Sequence, residues 1–226
     1  MKKITITIAL AAALLTGAWT ARAVTSDNLQ HLAMTGGTLT IGDKTFGNFS
    51  FNASNLTNFD PSQITVTASI QGGVYYLTYG GNMSLINGGT ATADLLLNYT
   101  VTAAQGLINM IDQYYAGSAN GDGTFLAVDE VVRNQQGNVV ANSHLDRKDL
   151  SDPFGETGDN LDINPALSFL RVTKDISFGV TNGGFVTITE VAQSFHQVPE
   201  ASTMALLALG VLPVAVQVLR RKQGRK

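Results

Sequence analysis

Apolar and polar residues trade places at every second position along much of this chain, and that period of two restricts it to β-strands more tightly than composition does. Ile64, Val66, Ala68 and Ile70 fall on one side of a segment whose other side carries Thr65, Thr67 and Ser69. Leu95, Leu97, Tyr99 and Val101 repeat the arrangement with Asn98 and Thr100 opposite, and Phe185-Val186-Thr187-Ile188-Thr189 does so again. Successive side chains of a strand point to opposite faces, so each such segment can bury one face and wet the other. Thr38 to Ile41, Phe46 to Phe51, Val74 to Tyr79, Phe125 to Val132 and Phe169 to Val180 are further strand candidates. Ala103 to Tyr115 is read as strand as well, although Leu107, Ile108, Ile111 and Tyr115 would also line one side of a helix.

Turn chemistry separates these segments. Gly36-Gly37, Gly72-Gly73, Gly80-Gly81-Asn82, Asn87-Gly88-Gly89, Asn120-Gly121-Asp122-Gly123 and Asn182-Gly183-Gly184 all supply residues that tolerate positive φ. Hairpins are expected to close at Gln71-Gly72-Gly73 and at Thr181-Asn182-Gly183-Gly184. Many short strands at this spacing predict an all-β fold, an antiparallel β-sandwich or jelly-roll-like single domain. One stretch breaks the pattern. From Ser143 to Asn164 the chain turns charged and turn-rich, with Asp146, Asp149, Asp152, Glu156, Asp159 and Asp162, and it reads as a long surface loop.

The two ends differ from the middle. Lys2 and Lys3 precede an apolar run from Ile4 to Leu15, and Ala21-Arg22-Ala23 is a small-x-small site, so residues 1–23 read as a signal peptide cut after Ala23. That run is shorter than the roughly 20 residues that span a bilayer. At the other end Met204 to Leu219 is apolar apart from Gly210, Pro213 and Gln217, a transmembrane helix of marginal length. Arg220, Arg221 and Lys222 follow it as a basic stop that stays cytoplasmic. The reading is therefore residues 1–23 for export, 24–197 as an extracytoplasmic β-domain and 198–226 as a membrane-borne tail.

Immediately before that helix stands Val198-Pro199-Glu200-Ala201-Ser202-Thr203. A Pro-Glu turn, small hydroxylated residues, a short apolar helix and a terminal arginine cluster together resemble the PEP-CTERM sorting signal of Gram-negative bacteria. The resemblance is confined to the tail and departs from the usual Pro-Glu-Pro at Ala201. It implies processing by an exosortase, transient anchoring in the cytoplasmic membrane, and release to the cell surface or beyond, where such proteins are commonly linked to exopolysaccharide or biofilm matrix. Pro199 fixes φ, lacks an amide hydrogen and biases Val198 away from helix, which keeps the recognition segment extended and accessible to a protease. Signal peptidase and exosortase are the processing partners this route requires.

Charge and composition exclude several functions. Between Val24 and Val198 sixteen acidic residues face six basic ones, a net charge near −10, and such a surface repels phosphate backbones. Nucleic acid is not an expected partner. The chain has no cysteine, hence no disulfide framework, thiolate cluster or cysteine nucleophile. His31, His144 and His196 lie far apart without zinc spacing, and no Gly-x-Ser-x-Gly elbow occurs, so no enzyme is expected.

Two loops have the composition of a calcium site, and no other cofactor is implied. One is the acidic stretch from Ser143 to Asn164. The other begins at Ser118 and would use Asn120, Asp122 and Asp129, although a plain hairpin tip explains that sequence better. Two groups of tyrosines, Tyr75-Tyr76 with Tyr79 and Tyr114-Tyr115, could stack on sugars or pack across strands. The main expectation is a structural or adhesive protein of an extracellular polymer layer. The alternative is a carbohydrate- or calcium-binding β-sandwich module.

Overall fold

The alternation resolves into two six-stranded antiparallel sheets packed face to face. The computed structural model describes residues 24–121, 123–148 and 158–198. In chain order these form β1 (Val24–Asn28), α1 (Leu29–Thr35), β2 (Leu39–Ile41), β3 (Lys44–Ser54), β4 (Thr65–Gln71), β5 (Val74–Asn87), β6 (Ala91–Ala103), β7 (Leu107–Asn120), β8 (Phe125–Arg133), β9 (Val139–Lys148), β10 (Gly158–Leu167), β11 (Phe169–Val180) and β12 (Gly184–Val198). The front sheet runs β1-β4-β5-β12-β7-β10 and the back sheet β2-β3-β6-β11-β8-β9. From β5 onward each strand crosses to the opposite sheet, apart from the β8-β9 hairpin, which is the wrap of a double-sheet jelly roll.

The inward face of every long strand supplies the core. Leu77, Val186, Ile188, Val191 and Phe195 of the front sheet meet Leu95, Leu97, Val101, Val128, Val172 and Ile176 of the back sheet, all buried. Each such side chain contributes about 1.5–3 kcal/mol when fully removed from water. Aromatic pairs bridge the two layers: Phe46 and Phe195 stand 5.3 Å apart between centroids, and Tyr79 and Tyr99 6.1 Å.

Several expectations hold. The strands foreseen over Ile64–Ile70, Leu95–Val101, Phe125–Val132 and Phe169–Val180 are all present, and the ambiguous stretch to Tyr115 is strand β7. Gly72 and Gly73 close the β4-β5 hairpin with φ of 60° and 84°, opposite the Gln71–Val74 pair.

Others are overturned. Thr181 to Gly184 does not close a hairpin, because β11 and β12 belong to different sheets; Asn182 and Gly183, with φ of 59° and 84°, carry the chain across the sandwich. Asn120 to Gly123 is likewise an inter-sheet crossing from β7 to β8 rather than a hairpin tip. Local turn chemistry specifies that a chain reverses and leaves open which strand it rejoins. Gly80-Gly81-Asn82 is no turn either. It is a bulge inside β5, where the register against β12 shifts between Ile188 and Glu190. At Gly81, with φ of 151°, an added Cβ would lie 2.6 Å from Ile64 Cδ1.

The acidic stretch 143–164 is not one long loop. Its two ends are strands β9 and β10, each at the edge of its sheet, and Leu145 and Ile163 point inward while His144, Asp146 and Asp162 lie on the other face. Polar, charged edge strands discourage pairing with other molecules, and that polarity masked their alternation. Helix α1 was not foreseen. Asn28 caps it by accepting from the His31 amide at 2.8 Å, Gly36 ends it in the left-handed region, and Leu29 and Leu32 are buried beneath the sheets.

Candidate functional site

Register shifts flank one stretch of β12, the first between Ile188 and Glu190 and the second between His196 and Gln197, where β7 carries the extra residue Asn109, and that stretch floors a trough on the outer face of the front sheet. Glu190, Ala192, Ser194 and His196 alternate outward along that segment. The register sets their neighbours. Ser194 lies between Tyr76 on β5 and Asp112 on β7, and Ala192 lies between Thr78 and Tyr114. Ser69 and Gln71 of β4 complete the wall, and the trough holds about 370 Å³.

The geometry follows from side-chain size. Ala192 and Ser194 are small, so room remains above β12 between the tyrosines of the flanking strands. Tyr114 is 46% exposed. Period two also decides which tyrosines are available: Tyr76 and Tyr114 face out, whereas Tyr75, Tyr79 and Tyr115 are buried in the sandwich. Tyr75, read above together with Tyr76, instead lies under Lys44, whose Nζ stands 4.2 Å from the ring centroid and donates to Asp43 at 2.9 Å.

Three polar side chains interlock in the trough. His196 Nε2 lies 2.7 Å from Asp112 Oδ2, Ser194 donates to the same oxygen at 2.7 Å, and Ser194 Oγ is 3.1 Å from Nε2. The residue types are those of a hydrolase triad, but the wiring differs. A catalytic relay uses one ring nitrogen for the serine and the other for the carboxylate. Here both contacts converge on Nε2 and the serine proton is committed to Asp112, so the arrangement fixes three side chains rather than activating a nucleophile. The other carboxylate oxygen, Asp112 Oδ1, is buried and has no hydrogen-bond partner among the described residues.

A second polar group occupies the opposite face of the same strands. Gln113 of β7 and Gln193 of β12 are cross-strand neighbours pointing into the sandwich. Lys174 Nζ donates to Gln113 Oε1 at 2.7 Å and to Glu130 Oε2, and Gln113 Nε2 donates to Ser143 Oγ at 2.6 Å. Both side chains of the Lys174–Glu130 pair are fully buried. Burial pulls the Lys174 ammonium below the usual lysine range, and Glu130 partly opposes that shift. Glu130 Oε1, both amide atoms of Gln193 and the hydroxyls of Tyr79 and Tyr99 lack partners among the described residues.

The structure separates the proposed calcium ligands. Asn120 ends β7, while Asp129 sits in the middle of β8 on the outer face of the back sheet, 2.7 Å from His144 Nδ1. They do not share a loop, because the residues from Phe125 onward are extended strand. Asp122 lies outside the described residues. Among those described, no group of three or more His, Asp and Glu side chains is placed to hold a metal ion.

Ala21, Ala23, Pro199, Glu200, Ala201, Arg220, Arg221 and Lys222 also lie outside the described residues. Val198 is the last residue of β12, paired with Leu107 and exposed. Among the described residues no helix is long and apolar enough to cross a membrane.

Asp112, Glu190, Ser194 and His196 were not singled out as one constellation by the sequence reading. The signal for three of them was present: Glu190-x-Ala192-x-Ser194-x-His196 alternates at the spacing of one strand face. The alternation that runs from Phe185 to Thr189 breaks there, because the bulge at Thr189 shifts the phase by one residue before Glu190. Asp112 comes from another strand, and only the register brings it alongside.

No family model matches the chain, and no curated protein matches it in sequence. Among solved structures it is similar to TmCBM61 in complex with β-1,4-galactotriose, at 12% identity and a TM-score of 0.32, over 64% of this chain and 86% of that one. It is also similar to a carbohydrate-binding module from the β-sandwich superfamily, at 11% identity and a TM-score of 0.28, over 72% of this chain and 60% of that one. A third is the VP2 subviral particle of infectious bursal disease virus, at 13% identity and a TM-score of 0.33, where the chain matches 32% of the viral protein. These scores are low, and the description of the fold and the trough rests on the geometry of this chain alone.

Proposed function

We propose that the β-sandwich is a non-catalytic carbohydrate-binding domain, and that a glycan lies in the front-sheet trough across β12. The observation that carries this reading is the placement of Tyr76 and Tyr114 on either side of a floor of small residues, with Glu190 and Gln71 as acceptors in the lining. Aromatic faces take up the apolar face of a sugar ring, and a few placed polar groups fix its orientation. The interlocked His196, Asp112 and Ser194 hold that wall in one arrangement before a ligand arrives, which lowers the entropic cost of binding.

The tail supports a cellular setting for this activity. Its resemblance to an exosortase signal supports export, transient membrane anchoring and delivery to an exopolysaccharide or biofilm layer, where a glycan-binding sandwich would act as an adhesive structural protein. Replacing Pro199 and Glu200 together is expected to leave the protein in the cytoplasmic membrane fraction. Normal release of that variant into the medium would defeat the sorting proposal.

Binding is tested by retention of the full-length protein on immobilised polysaccharides. Tyr76→Ala and Tyr114→Ala are each expected to lower affinity at least about tenfold, close to 1.4 kcal/mol, as truncation of a central aromatic anchor does. Retention unchanged in both variants would overturn the trough as the binding site.

A further inference from the structure

We infer that the trough selects uncharged glycans and turns away polymers that carry carboxylate or sulfate groups, an inference that rests on the carbohydrate reading of the same site. The six strands of the front sheet contain no lysine or arginine at all. Every lysine and arginine between Val24 and Val198 belongs to the back sheet: Lys44 on β3, Arg133 on β8, Arg147 and Lys148 on β9, Arg171 and Lys174 on β11. Of these, Lys44 and Lys174 are buried and paired with Asp43 and Glu130.

The trough itself is lined by two carboxylates, Asp112 and Glu190. Its one nitrogen base among the lining residues is His196, and Asp112 already holds it at 2.7 Å. An anionic sugar seated between Tyr76 and Tyr114 would therefore meet carboxylates and find no free cation to neutralise it. Like charges brought together at a partly desolvated surface repel more strongly than they would in open water. A neutral sugar meets the opposite situation. Its hydroxyls can donate, and Glu190 and Gln71 in the lining offer acceptors.

The inference is tested with the full-length protein on immobilised neutral polymers, a glucan, a mannan and a galactan, and on polygalacturonate and alginate, all at low ionic strength. At least one neutral polymer is expected to bind tenfold or more tightly than either anionic one, with that retention lost in Tyr114→Ala. Glu190→Gln is expected to raise retention on polygalacturonate by removing one repelling charge. Tyr114-dependent binding to an anionic polymer as strong as to any neutral one would overturn the inference, as would a Glu190→Gln variant whose discrimination is unchanged. Retention on none of the polymers would instead defeat the carbohydrate reading, and the inference with it.

Discussion

Neighbouring residues of β7 and β12 carry two polar clusters that face opposite ways, and the contrast separates what polarity does inside this protein from what it does outside. Asp112, Ser194 and His196 line an open trough, whose exposed polar atoms water can satisfy when no ligand is bound. Gln113 and Gln193, one position along in each strand, point into a sealed interior with Lys174 and Glu130. There each polar atom must find a protein partner or go without, at a cost of about 1–3 kcal/mol for a neutral group. The inner cluster is thus expected to govern stability, and the outer one binding.

The largest effect should come from breaking the inner pair. Lys174→Met leaves Glu130 charged and alone in the core, and a loss of about 3–5 kcal/mol in a denaturant titration is expected. Combining it with Glu130→Leu should recover most of that loss, since a buried ion pair replaced whole by apolar groups is often neutral. A single variant as stable as the parent would show that the interior is wetter than its burial implies.

A smaller effect is expected from alkaline pH. Burial holds the phenols of Tyr79 and Tyr99 well above the ordinary tyrosine range, and Glu130 adds to the shift at Tyr99. The native state therefore keeps protons that the unfolded chain releases near pH 10, and stability falls as pH rises beyond that point by up to about 1.4 kcal/mol per unit for each phenol. Tyr79→Phe with Tyr99→Phe should flatten the decline, as read from melting temperature against pH.

The smallest stability effect belongs to the trough. Tyr114 is exposed, and Tyr114→Ala should change folding stability by no more than about 0.5 kcal/mol while abolishing retention on polysaccharide. A Tyr114→Ala variant that loses stability as Lys174→Met does would erase the distinction between the two faces.

The alternation of residues such as Leu95, Leu97, Tyr99 and Val101 made most strands legible, because burial of one sheet face demands that pattern. Edge strands escaped notice where solvent reached them. In β10 Leu161, Ile163 and Leu167 mark the inward side, amid Asp159, Asn160 and Asp162, a polar stretch that reads as a loop. The bulge at Gly80 to Asn82 imitated a turn because glycine serves both. The tyrosine groups were visible, but whether Tyr75 or Tyr76 faced solvent depended on the register of β5 against β12.

The linear chain sufficed to mark the middle segment as a mainly antiparallel β-domain of strongly acidic character, because a period of two and a charge balance are properties of the sequence alone. It also contains the tail whose resemblance suggests a route of export. Only the tertiary structure decided which strands lie side by side, and hence that Asp112 meets Ser194 and His196, that Lys174 meets Glu130, and that the lysines and arginines of residues 24–198 fall on the sheet away from the trough. The physical reason is that strand pairing is a long-range choice, made by the fit of two buried faces and their crossings, and no local pattern encodes the partner.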